Sequence, residues 1–367
     1  MTEPAPTGDA AVERAFGADN RGRLLARYFD EVAVEPVTAA SAWRHVYRLL
    51  LWIDRTTGLA HCYESDKSQP GRPWYARSLR FHAWVADELG TTPADLATAI
   101  DWLFRAASAD LARVAAQRRG VWTTKAIEQR ALLAEPGTPL PGEDSVLADM
   151  LCEVLSPWLT ERPPDNTLRD LVTRVQAHIA TENKRKNLVG EGFEDTLAEV
   201  LRRIPDLKSQ YAISVRTLLH DLPGFNRQRD TEKPKRVDLG LIRNADSMRV
   251  LVSCKWSIRS DREEQFTSDF EAYSRLEALG QDFQYVLVTN EFDPARLAAA
   301  CEARRQNGPL FSTVVHVNPA GPREIYRLEL PGARRPDTAG AARASGHIDS
   351  GRLTTLASWL RQLAPDS

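Results

Sequence analysis

The chain has 367 residues, a formal net charge of −2, and 43% apolar and 27% charged residues. That length favours two domains with room for a sizeable core, and the near-neutral balance excludes a globally basic coat, so any nucleic-acid surface has to be a local patch. No apolar run approaches the about 18–20 residues needed to cross a bilayer, and the first ten residues lack the basic and apolar regions of a signal peptide. Cysteines at 62, 152, 254 and 301 show no CxxC spacing, which argues against zinc and against a disulfide framework. A cytoplasmic protein without a membrane partner is expected.

Residues 1–20 read as a disordered lead, and 21–140 as a helical N-terminal domain. Within it, Ser41 to Asp54 carries Trp43, Val46, Tyr47, Leu50 and Leu51 on one face. Thr92-Pro93-Ala94-Asp95 predicts a helix start, with the helix running through Trp102 and Leu103 toward Arg118 and stopping at Gly120. Residues 135–144 are rich in Pro and Gly and read as a linker. Helices are expected near 145–159 and 166–183.

The pattern changes after Asn187. A helix near 191–203 precedes strand-like runs at 211–216, 236–242, 249–255, 285–289 and 313–317, with helices near 262–279 and 294–305 between them. The expected fold class is therefore α/β, a mixed sheet core flanked by helices and preceded by the all-helical N-terminal domain. The second domain spans 145–330. Residues 331–350 read as a loose Pro/Gly/Ala/Arg linker, and 351–367 as one final amphipathic helix.

Two strands and the segment after them carry the chemistry. Asn244-Ala245-Asp246-Ser247 is a turn signal between the strand holding Asp238 and the strand ending at Lys255. If it is the tip of a hairpin, Asp238 faces Ser253, and Lys255 lies one alternation further on the same face. A carboxylate there can hold a divalent cation that polarises a phosphate and acidifies a bound water. The lysine can stabilise the charge developing on phosphorus or orient the water. For a second carboxylate, Asp269 and Glu271 lie on the following helix, and Glu191 and Glu194 stand at the head of the helix opening this region. Four residues past Lys255 begins Arg259-Ser260-Asp261-Arg262. Arginine forks onto the O6 and N7 edge of guanine and a carboxylate accepts from the cytosine amino group, so this cluster suits G·C pairs in the major groove.

This segment resembles the CCGG group of type II restriction endonucleases, within the PD-(D/E)xK nuclease superfamily. In that group Ser-x-Lys replaces acid-x-Lys, as Ser253 and Lys255 do here, and the missing acid comes from the next helix, fourteen residues after the lysine. Asp269 stands at that offset, one methylene shorter than the group's glutamate. Arg259, Asp261 and Arg262 match the group's base reader at the same offsets, and its upstream acid corresponds to Glu194, with Glu191 second. Val237 stands where the superfamily often has proline.

The resemblance covers about residues 187–320. It implies a restriction-endonuclease-like fold with Asp238, Lys255, Asp269, Glu194 and Ser253 as catalytic residues, of which Asp238 and Asp269 hold Mg2+. It further implies cleavage of palindromic double-stranded DNA with a CCGG core, leaving 5′ overhangs. The partners it implies are a homodimer or homotetramer and a cognate DNA methyltransferase in the same system, not a stable subunit. The alternatives are a repair or modification-dependent nuclease and a non-catalytic sequence-specific DNA-binding protein.

Other basic stretches stay open between two readings. Arg227, Arg229, Lys233, Lys235 and Arg236 either clamp DNA phosphates or form a solvated loop. Residues 182–187 either touch DNA backbone or lie on a charged interdomain surface. The loop 66–77 mixes basic and aromatic residues, and either contacts a partner or is anchored in the core by Trp74 and Tyr75. Trp43, Trp52, Trp84 and Trp102 read as packing.

Overall fold

A computed structural model describes residues 15–64, 66–229, 231–258, 263–328 and 335–364. The expected helical character up to residue 203 is present, with different boundaries. The helices are α1 (Ala18–Arg27), α2 (Ala42–Leu50), α3 (Tyr75–Glu88), α4 (Trp102–Leu133), α5 (Ser145–Leu155) and α6 (Asp165–Arg203). A two-residue strand pair, Ile53–Asp54 with Leu59–Ala60, interrupts the helices where the spacing predicted only helix.

The Thr92 hydroxyl does accept the Asp95 N–H at 3.2 Å, but only a single turn follows. The chain breaks at Asp101, whose φ is +61°, and restarts as α4. That helix runs through Gly120 to Leu133, because an interior glycine costs a helix only about 1 kcal/mol. The separate helices expected at 166–183 and 191–203 are one 39-residue helix, α6, with the basic stretch 182–187 inside it.

Six strands form one sheet: β1 (Tyr211–Leu218), β2 (Arg236–Arg243), β3 (Arg249–Lys255), β4 (Gln284–Thr289), β5 (Thr313–His316) and β6 (Leu353–Thr355). Their order in space is their order in the chain. β2 is antiparallel to both of its neighbours, β1 and β3, and β3 to β6 are parallel. The parallel strands need crossovers, supplied by α7 (Glu263–Leu276), α8 (Pro294–Glu302), α9 (Ala320–Tyr326) and α10 (Arg335–Asp349). Helix α11 (Leu356–Leu363) closes the described chain.

The segment expected as a linker at 331–350 contains α10. Its small residues serve close packing: Ala341 and Ala344 are buried, and a Cβ on Gly340 would lie 3.4 Å from the Ala295 backbone nitrogen in α8. The C-terminal segment expected as helix over 351–367 instead gives Leu353–Thr355 to β6, which pairs with β5, before α11 begins.

One core lies on the sheet face that carries Leu251, Tyr285 and Leu287, where Phe266 and Tyr273 of α7, Leu297 of α8 and Ala344 of α10 meet them. The chain divides into two compact units. One takes residues up to Asn20 and Ala106–Leu188; the other takes Arg21–Arg105 and Val189 onward. Residues 21–105 thus share a unit with the sheet, where the sequence placed them with the helices to 140. The reason is lateral contact that chain order does not reveal. The Tyr63 hydroxyl donates to Asp293 at 2.8 Å, and the Phe81 ring meets Phe292 at 4.6 Å.

Candidate active site

Strands β2 and β3 turn on residues 244–247. Arg243 N–H donates to Met248 O and Ser247 N–H to Arg243 O, each at 2.9 Å, and Ser247 takes the left-handed φ of +61°. Asp246 staples the tip by accepting the Met248 N–H at 3.1 Å and the Arg243 Nε at 2.8 Å. The resulting register pairs Leu239 with Val252 and Gly240 with Leu251, which brings Asp238 opposite Ser253. Oδ2 of Asp238 accepts from Lys255 Nζ at 2.6 Å, from the Cys254 N–H at 2.8 Å and from Ser253 Oγ at 3.5 Å. Among the described residues, no donor reaches its Oδ1, and the side chain keeps 23% of its surface exposed.

Glu194 joins this group from α6. It is buried, and its pKa is raised to about 7, first by burial and next by the negative charge of Asp238. It accepts from Arg216 at 2.9 Å. Arg216 also reaches Asp195 at 2.5 Å, and Asp195 in turn accepts from Arg21 at 2.7 Å. Glu191 is exposed and pairs with Arg21 at 2.6 Å.

Sequence reasoning missed Arg216. The β1–β2 register, Val215 with Leu239 and Thr217 with Val237, brackets it opposite Asp238. Its φ of +46° is rare for a residue with a Cβ. The signal in the sequence was a lone arginine inside an apolar strand.

Asp269 lies on the same side of the sheet but is held differently. Lys235 Nζ reaches its Oδ1 at 2.6 Å. The buried phenols of Tyr273 and Tyr285 sense both Asp238 and Asp269, whose charges add to burial in raising the two phenol pKa values. Glu271 is exposed. Among the described residues no three His, Cys, Asp or Glu side chains converge as a metal-ligand group. Glu194, Asp238, Ser253 and Lys255 therefore come together, and Asp269 stands beside them in its own ion pair.

No protein-family model matches the chain, and no curated protein matches it in sequence.

Arg259, Asp261 and Arg262 lie outside the described residues. The chain that leads to them is anchored firmly. Glu291, buried at the end of β4, accepts the Ile258 N–H at 2.7 Å, the Asp293 N–H at 2.8 Å and the Phe292 N–H at 2.9 Å. Burial raises its pKa to about 7 despite these bonds. The Asn290 N–H donates to Trp256 O at 3.1 Å, and the Trp256 ring is held edge-on by Phe193 at 5.4 Å. Sequence reasoning missed Glu291, a single acid after an apolar strand.

In the basic loop, Arg227, Arg229, Lys233 and Arg236 are exposed, whereas Lys235 is committed to Asp269. In the loop 66–77, Trp74 is buried, stacked on Tyr63 at 3.8 Å and covered by Arg77 at 4.6 Å. Trp43 stacks with Trp84 at 6.4 Å, and Trp102 lies 5.3 Å from Tyr28, both as packing. Among the described residues no helix is long and apolar enough to cross a membrane.

Proposed function

We propose that the chain is a type II restriction endonuclease: a Mg2+-dependent hydrolase of double-stranded DNA at a palindrome with a CCGG core, on a restriction-endonuclease-like fold. The observation that carries this reading is the Asp238–Lys255 pair, 2.6 Å apart at the end of a hairpin, with a second carboxylate, Glu194, buried against it.

The donor set suits a small hard cation, which takes carboxylate and water oxygens. Asp238 offers an oxygen without a protein donor, and Glu194 is held near neutrality partly by the charge of Asp238, a repulsion that a divalent cation would relieve. Asp238 and Glu194 would hold Mg2+, and Asp269 joins them if it leaves Lys235. Bound there, Mg2+ supplies Lewis-acid polarisation of the phosphate and a more acidic water.

The chain's own groups do the rest. Lys255 keeps its ammonium beside Asp238, placed to offset the negative charge that grows on the phosphate oxygens as water adds and the bond to the 3′ oxygen breaks. Glu194, as a carboxylate, accepts a proton from the attacking water; Arg216 fixes its orientation. Arg259, Asp261 and Arg262 read the G·C pairs. Arg227, Arg229, Lys233 and Arg236 contribute sequence-independent attraction to phosphates.

A digest of mapped plasmid DNA in Mg2+, followed by end sequencing, tests this. Discrete cuts at CCGG-containing palindromes with 5′ overhangs are expected. Random nicking would replace the reading with a repair or modification-dependent nuclease. Specific binding without cleavage would replace it with a DNA-binding protein, the outcome favoured if Lys235 and Arg216 keep both flanking acids permanently paired.

A further inference from the structure

Arg216 stands in one row with the proposed centre. The pairs Val215–Leu239 and Thr217–Val237 bracket it opposite Asp238, and Leu239–Val252 sets Asp238 opposite Ser253. Neighbouring strands lie about 5 Å apart, so a group held on Asp238 is within reach of an arginine side chain.

The backbone at Arg216 is bent. Its φ is +46° inside β1, and the β1–β2 ladder passes over it between two regular pairs. Arg236 fixes the bend by donating from Nη1 to the Arg216 carbonyl at 2.9 Å. A residue with a Cβ leaves the extended region only where its surroundings force it, and such residues gather at functional sites.

The guanidinium is only partly committed. Nη1 donates to Glu194 Oε2 at 2.9 Å and to the Glu191 carbonyl at 3.3 Å, and Nη2 donates to Asp195 Oδ1 at 2.5 Å. Nε–H and the second hydrogen on Nη2 meet no acceptor among the described residues, and the side chain keeps 29% of its surface exposed. Orienting Glu194 takes one of these bonds. It accounts for neither the bend nor the donors that remain.

Charge points to what those donors take. Arg21, Arg216 and Lys255 are linked by ion pairs to Glu191, Asp195, Glu194 and Asp238, three cations against four acids. With the acids ionised and a divalent cation bound, the set has one positive charge in excess, the complement of one phosphodiester. Exposed Arg236, on the Arg216 carbonyl, adds to that attraction. Arginine stays charged and meets phosphate oxygens with parallel N–H bonds.

We infer that Arg216 binds the substrate. Its Nε and Nη2 donate to a non-bridging oxygen of the phosphodiester that is cut, while Nη1 stays on Glu194. Arg216 then shares with Lys255 the negative charge that grows on the phosphate, and the bent backbone is what aims it. This role rests on the nuclease reading and goes beyond the orientation of Glu194.

Removing one charge from the DNA tests it. The probe is the cleaved duplex with an uncharged methylphosphonate at the mapped cut, bound in Ca2+ and compared with the plain duplex. Asparagine is among the few side chains that accept a left-handed backbone, so Arg216→Asn should keep the fold, checked by its far-UV spectrum. The affinity penalty of the methylphosphonate should be roughly tenfold smaller in Arg216→Asn than in wild type, the size of one hydrogen bond to a charged group. A methylphosphonate elsewhere in the strand should penalise both proteins alike. The difference should persist in a Glu194→Gln background, which an effect relayed through that carboxylate would not survive. Arg216→Lys keeps a cation for Glu194 and Asp195, guards against misfolding of the first variant, and should show an intermediate penalty. A penalty equal in wild type and both variants, or a difference that disappears with Glu194→Gln, would leave Arg216 as an orienting residue and overturn the inference with the nuclease reading intact. A wild type that cuts no duplex would remove the nuclease reading and this contact together.

Discussion

Lys255 and Asp238 meet through a single oxygen. Nζ donates to Oδ2 at 2.6 Å, and the Cys254 N–H reaches that same atom at 2.8 Å, so one carboxylate oxygen is tied into the fold and no donor among the described residues reaches the other.

This division separates two substitutions. Asp238→Asn keeps an oxygen for the Cys254 N–H, so its urea midpoint should stay near wild type while single-turnover cleavage falls by several orders of magnitude. Asp238→Ala should lose the same activity and also about 1–3 kcal/mol of stability, the cost of a buried donor without a partner. Lys255→Ala should match the activity loss. Near-normal cleavage by Asp238→Asn would remove the proposed centre.

Asp269 and Glu271 provide a second contrast. Asp269 lies beside the centre and is paired with Lys235, whereas Glu271 faces solvent. Asp269→Asn should nearly abolish cleavage, and Glu271→Gln should change it less than threefold, on the order of the ±0.5 kcal/mol of ordinary surface substitutions. Lys235→Ala frees Asp269 and should tighten Mg2+ binding, read by titration calorimetry. Equal affinity with and without Lys235 would show that Asp269 takes no part in holding the metal.

Glu194 makes the stability of the fold depend on pH. Its pKa in the fold is about 7 against an ordinary 4.5, so folding takes up a proton between those values. The stabilisation is fully present below about pH 4.5 and is lost as pH rises through about 7. Glu194→Gln should therefore flatten the decline of the urea midpoint across that window. Glu291 is raised to about 7 as well, so the flattening should be partial. A wild-type midpoint that climbs from pH 5 to pH 7 would contradict the assignment.

On the proposed function, base recognition and cleavage should be separable. In Ca2+, which suppresses cleavage, Arg259→Ala, Asp261→Ala and Arg262→Ala should each lose about 1–3 kcal/mol of preference for a CCGG duplex over a scrambled one. Lys233→Ala should weaken both duplexes alike and reduce the salt dependence. Glu291→Gln replaces the acceptor of the Ile258 N–H with a donor and should blunt the preference without touching a base. Competition titrations at two salt concentrations distinguish these outcomes, and an unchanged preference in Arg259→Ala and Arg262→Ala would remove the CCGG assignment.

What the sequence made legible follows from how local each constraint is. A four-residue turn between two alternating runs fixes a hairpin register, so the meeting of Asp238, Ser253 and Lys255 was readable. The link from β1 to β2 is 17 residues long, which leaves their register open, and Arg216 opposite Asp238 was invisible for that reason. Glu291 shows as a polar turn residue until its burial is known. Small residues in α10 read as linker and Gly120 in α4 as a helix end, because composition reports the freedom of the chain and not the neighbour that restricts it. The grouping of residues 21–105 with the sheet depends on contacts such as Tyr63 with Asp293, far apart in the chain.

The sheet grows in chain order from its β1 edge, and Glu194, Arg216, Asp238, Ser253 and Lys255 fall within 62 consecutive residues. Closing a loop costs more as it lengthens, though only about 0.6 kcal/mol per doubling, and local pairings form fastest. As the chain leaves the ribosome, the antiparallel strands that carry these charged groups can therefore pair before β4, β5 and β6 exist. The parallel half arrives later, each strand waiting for its crossover, and its arrival buries Tyr285 and the other side chains that seal the floor beneath Ser253.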